Sequence, residues 1–297
     1  MALAAKTENF INPAPAGKLL QVEHLRKTFQ IGRYSPEHVV LGDVSLDVAE
    51  KEMVCLLGPS GCGKTTMLTI IAGFQNASGG EIRLEGRRVN EPGVDRGFVF
   101  QGYALFPWMT VEQNILYALK LKKASREEKQ ERLEQLLQMS HLKGSEKKYP
   151  KELSGGMRQR VAVMRALAAS PQVLLLDEPL AAIDFQMRKN MQEELSELIS
   201  GANTTSIMVT HDVDEAVYMA DRVVVMTPDE GNIIADYRVD LARSRNRRSP
   251  EYLRHVERLS EYLSEAFRIG EKLIANEKES KNHDLLNLVP RKKQRAH

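Results

Sequence analysis

Cysteine is almost missing. The 297 residues hold two, Cys55 and Cys62, too few for a disulfide framework, and so low a thiol content points to a reducing compartment, the cytoplasm by default. Tryptophan is scarcer still, with Trp108 alone. No apolar run approaches the roughly 20 residues a membrane helix needs. Residues 1–19 carry only Lys6 and Lys18 as basic residues and no apolar centre, so neither a spanning helix nor a secretory leader is expected. Net charge is missing too: 42 Lys and Arg against 40 Asp and Glu leave +2, which argues against a nucleic-acid coat. Phosphate recognition, if any, has to be local. A hydrophobic share of 42% over this length is that of an ordinary globular protein with a sizeable core.

The first 18 residues, with Asn12, Pro13, Pro15 and Gly17, read as a flexible lead-in. β-rich runs at 20–29, 39–48 and 53–57 then precede a glycine-rich turn and a helical stretch at 64–72. Two later runs, 173–176 and 207–209, are continuously apolar, as strands buried on both faces of a parallel sheet should be. Between 112 and 165 the apolar spacing is helical, with Leu133, Leu136 and Leu137 among many charges. After Asp240 comes a short stretch with Arg243, Arg245, Arg247 and Arg248. An amphipathic segment over 250–274 follows, and the chain closes on Arg291, Lys292, Lys293 and Arg295. The expected class is therefore α/β, with a helical block between strands and a C-terminal helical extension.

The sharpest motif is Gly58-Pro59-Ser60-Gly61-Cys62-Gly63-Lys64-Thr65-Thr66. It follows an apolar strand and opens a helix, the context a phosphate-binding loop requires. Its glycines let successive N–H groups turn toward phosphate oxygens, and the helix N-terminus adds its positive end. Lys64 supplies a point charge for the β and γ phosphates, and the Thr65 hydroxyl is placed to ligate Mg²⁺. Cys62 sits at that same helix N-terminus, which predicts a lowered thiol pKa and a loop that oxidation would block.

A second element delivers two carboxylates at the end of an apolar strand, Val173-Leu174-Leu175-Leu176-Asp177-Glu178. Ligands of open α/β sheets bind at that edge. Asp177 is the expected Mg²⁺ partner, and Glu178 the general base that polarises an attacking water.

Between these elements stands Leu153-Ser154-Gly155-Gly156-Met157-Arg158-Gln159-Arg160. The segment resembles the signature of the ABC transporter nucleotide-binding subunits, and the match extends over about 19–238. The resemblance implies a P-loop NTPase ABC cassette: a RecA-like parallel-sheet core, an antiparallel β subdomain and an α-helical subdomain at about 102–166, all within 19–239. It also implies that Ser154, Gly155 and Gly156 of one copy face the ATP held by a second copy, in a head-to-tail homodimer. Gln101 resembles the glutamine that touches Mg²⁺ and senses a membrane partner. His211, in Val209-Thr210-His211-Asp212, is similar to the switch histidine at the γ-phosphate. Asp184 resembles the aspartate that couples the two sites, although Leu180, Ala181, Ala182 and Ile183 depart from the usual residues before it. Phe29 matches the aromatic that stacks on adenine. Residues 31–40 insert between it and the loop, which leaves Tyr34 as the alternative.

With no membrane span of its own, a chain of this kind works under separate permease subunits, at the cytoplasmic face of the membrane and indirectly with a solute-binding protein. Pro107-Trp108-Met109-Thr110-Val111 and the stretch 240–259 are similar to the nitrate, sulfonate, taurine and bicarbonate importer group. That position in the family receives the permease, so Phe106 and Trp108 are expected in the socket. Three other readings stay open: a soluble ABC ATPase outside transport, an exporter subunit, and a regulatory subunit for which ATP is only a ligand.

Overall fold

The computed structural model describes residues 17–30, 32, 37–121, 124–181 and 183–287. Tyr34, Ala182, the first sixteen residues and the basic end from Arg291 to Arg295 lie outside them. In chain order the elements are β1 (Lys18–Gln30), β2 (Glu37–Ala49), β3 (Met53–Leu57), α1 (Lys64–Ile71), β4 (Gly79–Leu84), β5 (Arg87–Arg88) and β6 (Arg96–Val99). These are followed by α2 (Val111–Leu121), α3 (Arg126–Met139), α4 (Gly155–Ala168), β7 (Val173–Asp177) and α5 (Phe185–Ala202). The last are β8 (Thr205–Thr210), α6 (Val213–Met219), β9 (Arg222–Met226), β10 (Ile233–Arg238) and α7 (Pro250–Asn287).

Six strands form the central sheet in the order β10-β9-β3-β8-β7-β6, parallel except for β10 at one edge. Its middle strands are apolar throughout because both faces are covered. The two-residue strand period divides them: Val54 and Leu56 point into one core, Met53, Cys55 and Leu57 into the other. The first core is closed by α1 and an antiparallel sheet, β2-β1-β4-β5; the second is closed by α2 to α7. Leu56, Leu57 and Leu174 have no exposed surface. Truncating any of them to alanine should cost about 2–5 kcal/mol.

A buried ion pair ties the sheets together. Arg222 on β9 donates to both carboxylate oxygens of Glu52 at 3.0 and 3.1 Å and to the Asp47 carbonyl on β2 at 2.8 Å.

The segment after β10 is stitched to α6 by arginines. Arg245 donates to the carbonyl of Ala220 at 2.7 Å and also to that of Val217, Arg243 donates to Met219, and Arg247 pairs with Asp214. Helix α7 then buries Tyr252, Leu259 and Ala266 in the helical-side core. It runs to Asn287, beyond the expected end at 274. The apolar period fades there, but Glu277, Lys278, Glu279 and Lys281 are good helix formers and no proline intervenes before Pro290.

Candidate active site

Strand order decides what meets. Because β3, β8, β7 and β6 are parallel neighbours, with Leu57 opposite Thr210, Asp177 opposite Val209 and Val99 opposite Leu176, their C-terminal ends share one sheet edge. The phosphate loop leaves β3 there, His211 follows β8, Asp177 and Glu178 end β7, and Gln101 follows β6.

The loop is shaped by backbone that only glycine adopts freely. Gly61 and Gly63 have φ of 82° and 94°. A Cβ at Gly58 would come within 2.4 Å of the Met226 carbonyl oxygen, and one at Gly63 within 3.1 Å of the Val40 carbonyl oxygen. Lys64 is buried, and its ammonium donates to the carbonyls of Gly58 at 2.8 Å and Pro59 at 2.7 Å. The lysine thus satisfies itself on its own loop, with the Cys62 sulfur 3.6 Å away. Pro59, Ser60 and Thr66 complete the loop and the first turn of α1. The expected activation of Cys62 does not hold. Its thiol is 1% exposed, and burial pushes it above the ordinary range, outweighing the opposing pull of Lys64.

The Thr65 hydroxyl donates to Asp177 at 2.9 Å. Burial raises the Asp177 carboxyl, with the Thr65 hydrogen bond opposing the shift. A hydroxyl and a carboxylate in contact, both oxygen donors beside a loop of backbone N–H groups, fit a hard Mg²⁺ ion. The next residue, Glu178, takes the left-handed backbone (φ 43°) and is fixed by its N–H donating to Val209 O at 3.1 Å. That conformation turns its side chain between two others. Gln101 Nε2 donates to Oε2 at 3.2 Å, and His211 Nδ1 lies 3.5 Å from Oε1.

The helix termini arrange the remaining residues. Ser154 caps α4 by accepting from Met157 N at 3.3 Å, followed by Gly155 and Gly156, and Asp184 caps α5 by accepting from Gln186 N at 2.9 Å. Among the described residues, no hydrogen bond or ion pair joins Ser154, Gly155, Gly156 or Asp184 to the phosphate loop. Phe29 is 37% exposed, with the Lys27 ammonium 4.9 Å from its ring centroid. It is therefore not core packing. It pairs with His38 at the hairpin end whose Val40 and Leu41 lie against Gly63.

Three features escaped the sequence reading. Glu215, in the first turn of α6, is buried and accepts from the Thr210 hydroxyl, while Asp212 Oδ1 accepts from its N–H. Burial pushes its carboxyl up to about 7. Its second oxygen has no partner, beside a cavity of about 10 Å³ lined by Glu178, His211, Asp212 and Arg188. Buried Asn114 holds the Phe106–Thr110 stretch, accepting from Phe106 N and donating to the carbonyls of Phe106, Met109 and Thr110. Arg165 donates to the two carbonyls that follow Gly102. Only the place of Glu215 after Thr210-His211-Asp212 signals any of the three from sequence.

This geometry coincides with a known family. The model of the ABC transporter family matches residues 41–181. The aliphatic sulfonates import ATP-binding protein SsuB of Bacillus licheniformis is 46% identical over 221 residues, 74% of this chain and 86% of that protein. The chain belongs to the ABC transporter family. The nitrate import ATP-binding protein NrtD of Synechocystis is 40% identical over 253 residues, covering 82% of the cassette chain and 94% of NrtD. Among solved structures, a dimeric ATP-binding cassette in a post-hydrolysis state with ADP and Pi bound superposes with a TM-score of 0.64 at 30% identity. It covers 75% of this chain and all of that one. The expected ABC cassette fold, with its parallel core, antiparallel sheet and helices, is the fold observed. None of the helices among the described residues is long and apolar enough to cross a membrane.

Proposed function

We propose that the chain is the ATP-hydrolysing subunit of an importer for a small anion or organic solute of the sulfonate, nitrate or bicarbonate type. Two copies work head to tail beneath permease subunits, at the cytoplasmic face of the membrane, with a solute-binding protein delivering cargo outside. The observation that carries the hydrolytic part is the position of Glu178, flanked by Gln101 and His211 and adjacent to the Thr65–Asp177 pair.

In this reading the Lys64 ammonium leaves the carbonyls of Gly58 and Pro59 for the β and γ phosphates of ATP. The N–H groups of 60–66 cradle the same phosphates. Thr65, Asp177 and Gln101 would hold Mg²⁺, which neutralises phosphate charge when bound. Glu178 takes the proton of the attacking water, and His211 orients toward the γ-phosphate. Ser154, Gly155 and Gly156 of the second copy close over the nucleotide, which fits their lack of any link to the phosphate loop within one chain. Phe29 stacks on adenine, and Asp184 couples the two sites. Trp108, 69% exposed beside Phe106, whose ring also packs on Tyr117, offers the permease an aromatic socket. The sulfonate and nitrate importers among the relatives support the cargo class.

The test is phosphate release by the purified chain with Mg²⁺ and ATP, joined to co-purification from membranes. Steady release and recovery with an integral membrane subunit are expected. A protein that binds ATP but releases no phosphate is a regulatory subunit, and one that releases phosphate without a membrane partner acts outside transport. Loss of taurine, nitrate or bicarbonate uptake on deleting the gene would fix the cargo, and intact uptake of all three would reject that class.

A further inference from the structure

The turn after Gln101 is held in an unusual backbone state. Tyr103 and Ala104, neither of them glycine, both have positive φ, 62° and 45°. Such residues persist only where surrounding contacts over-determine them. Here the contacts come from α4. Arg165 spreads its guanidinium over both carbonyls, donating to Ala104 O at 2.7 Å and Tyr103 O at 3.1 Å. Its Cζ lies 5.4 Å from the Phe106 ring centroid. Two helical turns earlier, Arg158 lies 5.9 Å from the Tyr103 ring centroid. The Tyr103 hydroxyl is buried against the helix start, 3.8 Å from where a Cβ on Gly155 would stand. One helix therefore grips the turn at two places.

We propose that Arg165 is a positioning residue, whose two-pronged hydrogen bond keeps the 103–104 turn left-handed and so fixes the Gln101 amide on Glu178. The inference rests on the hydrolytic reading above and adds to it a residue that touches neither nucleotide nor metal. Gln101 is two and three residues from the clasped carbonyls, and among the described residues its side chain hydrogen-bonds to Glu178 alone. On the other side, Asn114 fixes residues 106–110 to α2. The turn between joins the Phe106–Trp108 stretch to Gln101, whose amide meets the catalytic carboxylate, and Arg165 ties it to the helix that opens with Ser154. A lysine cannot reproduce the fork, because its ammonium is a single point donor.

The experiment uses the full-length purified protein, steady-state phosphate release over a range of ATP concentrations, and melting curves. Ala104→Val leaves α4 untouched but puts a β-branched residue at positive φ. It should lower kcat roughly tenfold or more while KM for ATP moves less than about twofold. Arg165→Gln should do the same. Adding Ala104→Gly to Arg165→Gln should restore most of the turnover, because glycine holds the turn without the clasp. Wild-type kcat in Ala104→Val overturns the proposal, and so does a folded Arg165→Gln that Ala104→Gly fails to rescue. If Arg165→Gln does not fold, Ala104→Val decides alone. A wild-type chain that releases no phosphate rejects the hydrolytic reading and this inference with it, whereas active wild type with an unaffected Ala104→Val rejects only the inference.

Discussion

Gln101 and Glu178, 77 positions apart in the chain, meet through a 3.2 Å hydrogen bond in which the amide donates to the carboxylate. The amide holds one oxygen of the carboxylate, while the other faces His211. A carboxylate held this way is oriented before any nucleotide arrives, which a general base requires.

Replacing Glu178 with glutamine keeps the shape and removes the base. Phosphate release should fall by about 10²- to 10⁴-fold, with ATP binding retained and a dimer stable enough to elute as such with ATP present. Turnover at the wild-type rate would sink the assigned role of Glu178.

Lys64→Ala acts at an earlier step. It removes a buried ammonium together with the donor that satisfies Gly58 O and Pro59 O. A charge-assisted contact is worth about 1.5–3 kcal/mol, so the Kd for ATP should rise by at least about tenfold. Fluorescent-nucleotide titration measures it.

Glu215 makes stability depend on pH. Its folded pKa, about 7, lies above the ordinary value of 4.5, so the folded state binds more protons than the unfolded one between those limits. Its contribution is therefore full below pH 4.5 and is lost as the pH rises toward 7. Glu215→Gln removes this penalty while still accepting from Thr210. Urea melts should show the variant gaining on wild type by up to about 3 kcal/mol between pH 4.5 and pH 8. A pH-independent difference would mean that the carboxyl is not held neutral.

Cys62 should resist thiol reagents. With both cysteines buried, labelling of the native protein at neutral pH should run roughly tenfold or more slower than in urea. Rapid labelling of Cys62 before unfolding would contradict the burial described.

The phosphate loop, the Asp177–Glu178 strand end and the separate apolar strands at 53–57, 173–176 and 207–209 were readable in the sequence because each is encoded within about ten consecutive residues. The fates of Cys62 and Glu215 were not. A helix N-terminus lowers a thiol pKa, but burial raises it, and burial is decided by residues distant in sequence, such as Val40, Leu41 and Met226 closing over the loop. Likewise nothing near Arg165 in the chain announces Tyr103 and Ala104, 62 and 61 positions away. The length of α7 was misjudged for another reason: apolar spacing reports where a helix packs, not how far its backbone runs, and this helix runs to Asn287.

Trp108 gives the molecule an optical consequence. It is the chain's sole indole and stands 69% exposed on the face proposed to meet the permease. Its emission therefore starts from a water-bathed ring. Any partner that covers this face has to change the colour of that light, and a titration can follow the docking without attaching a dye.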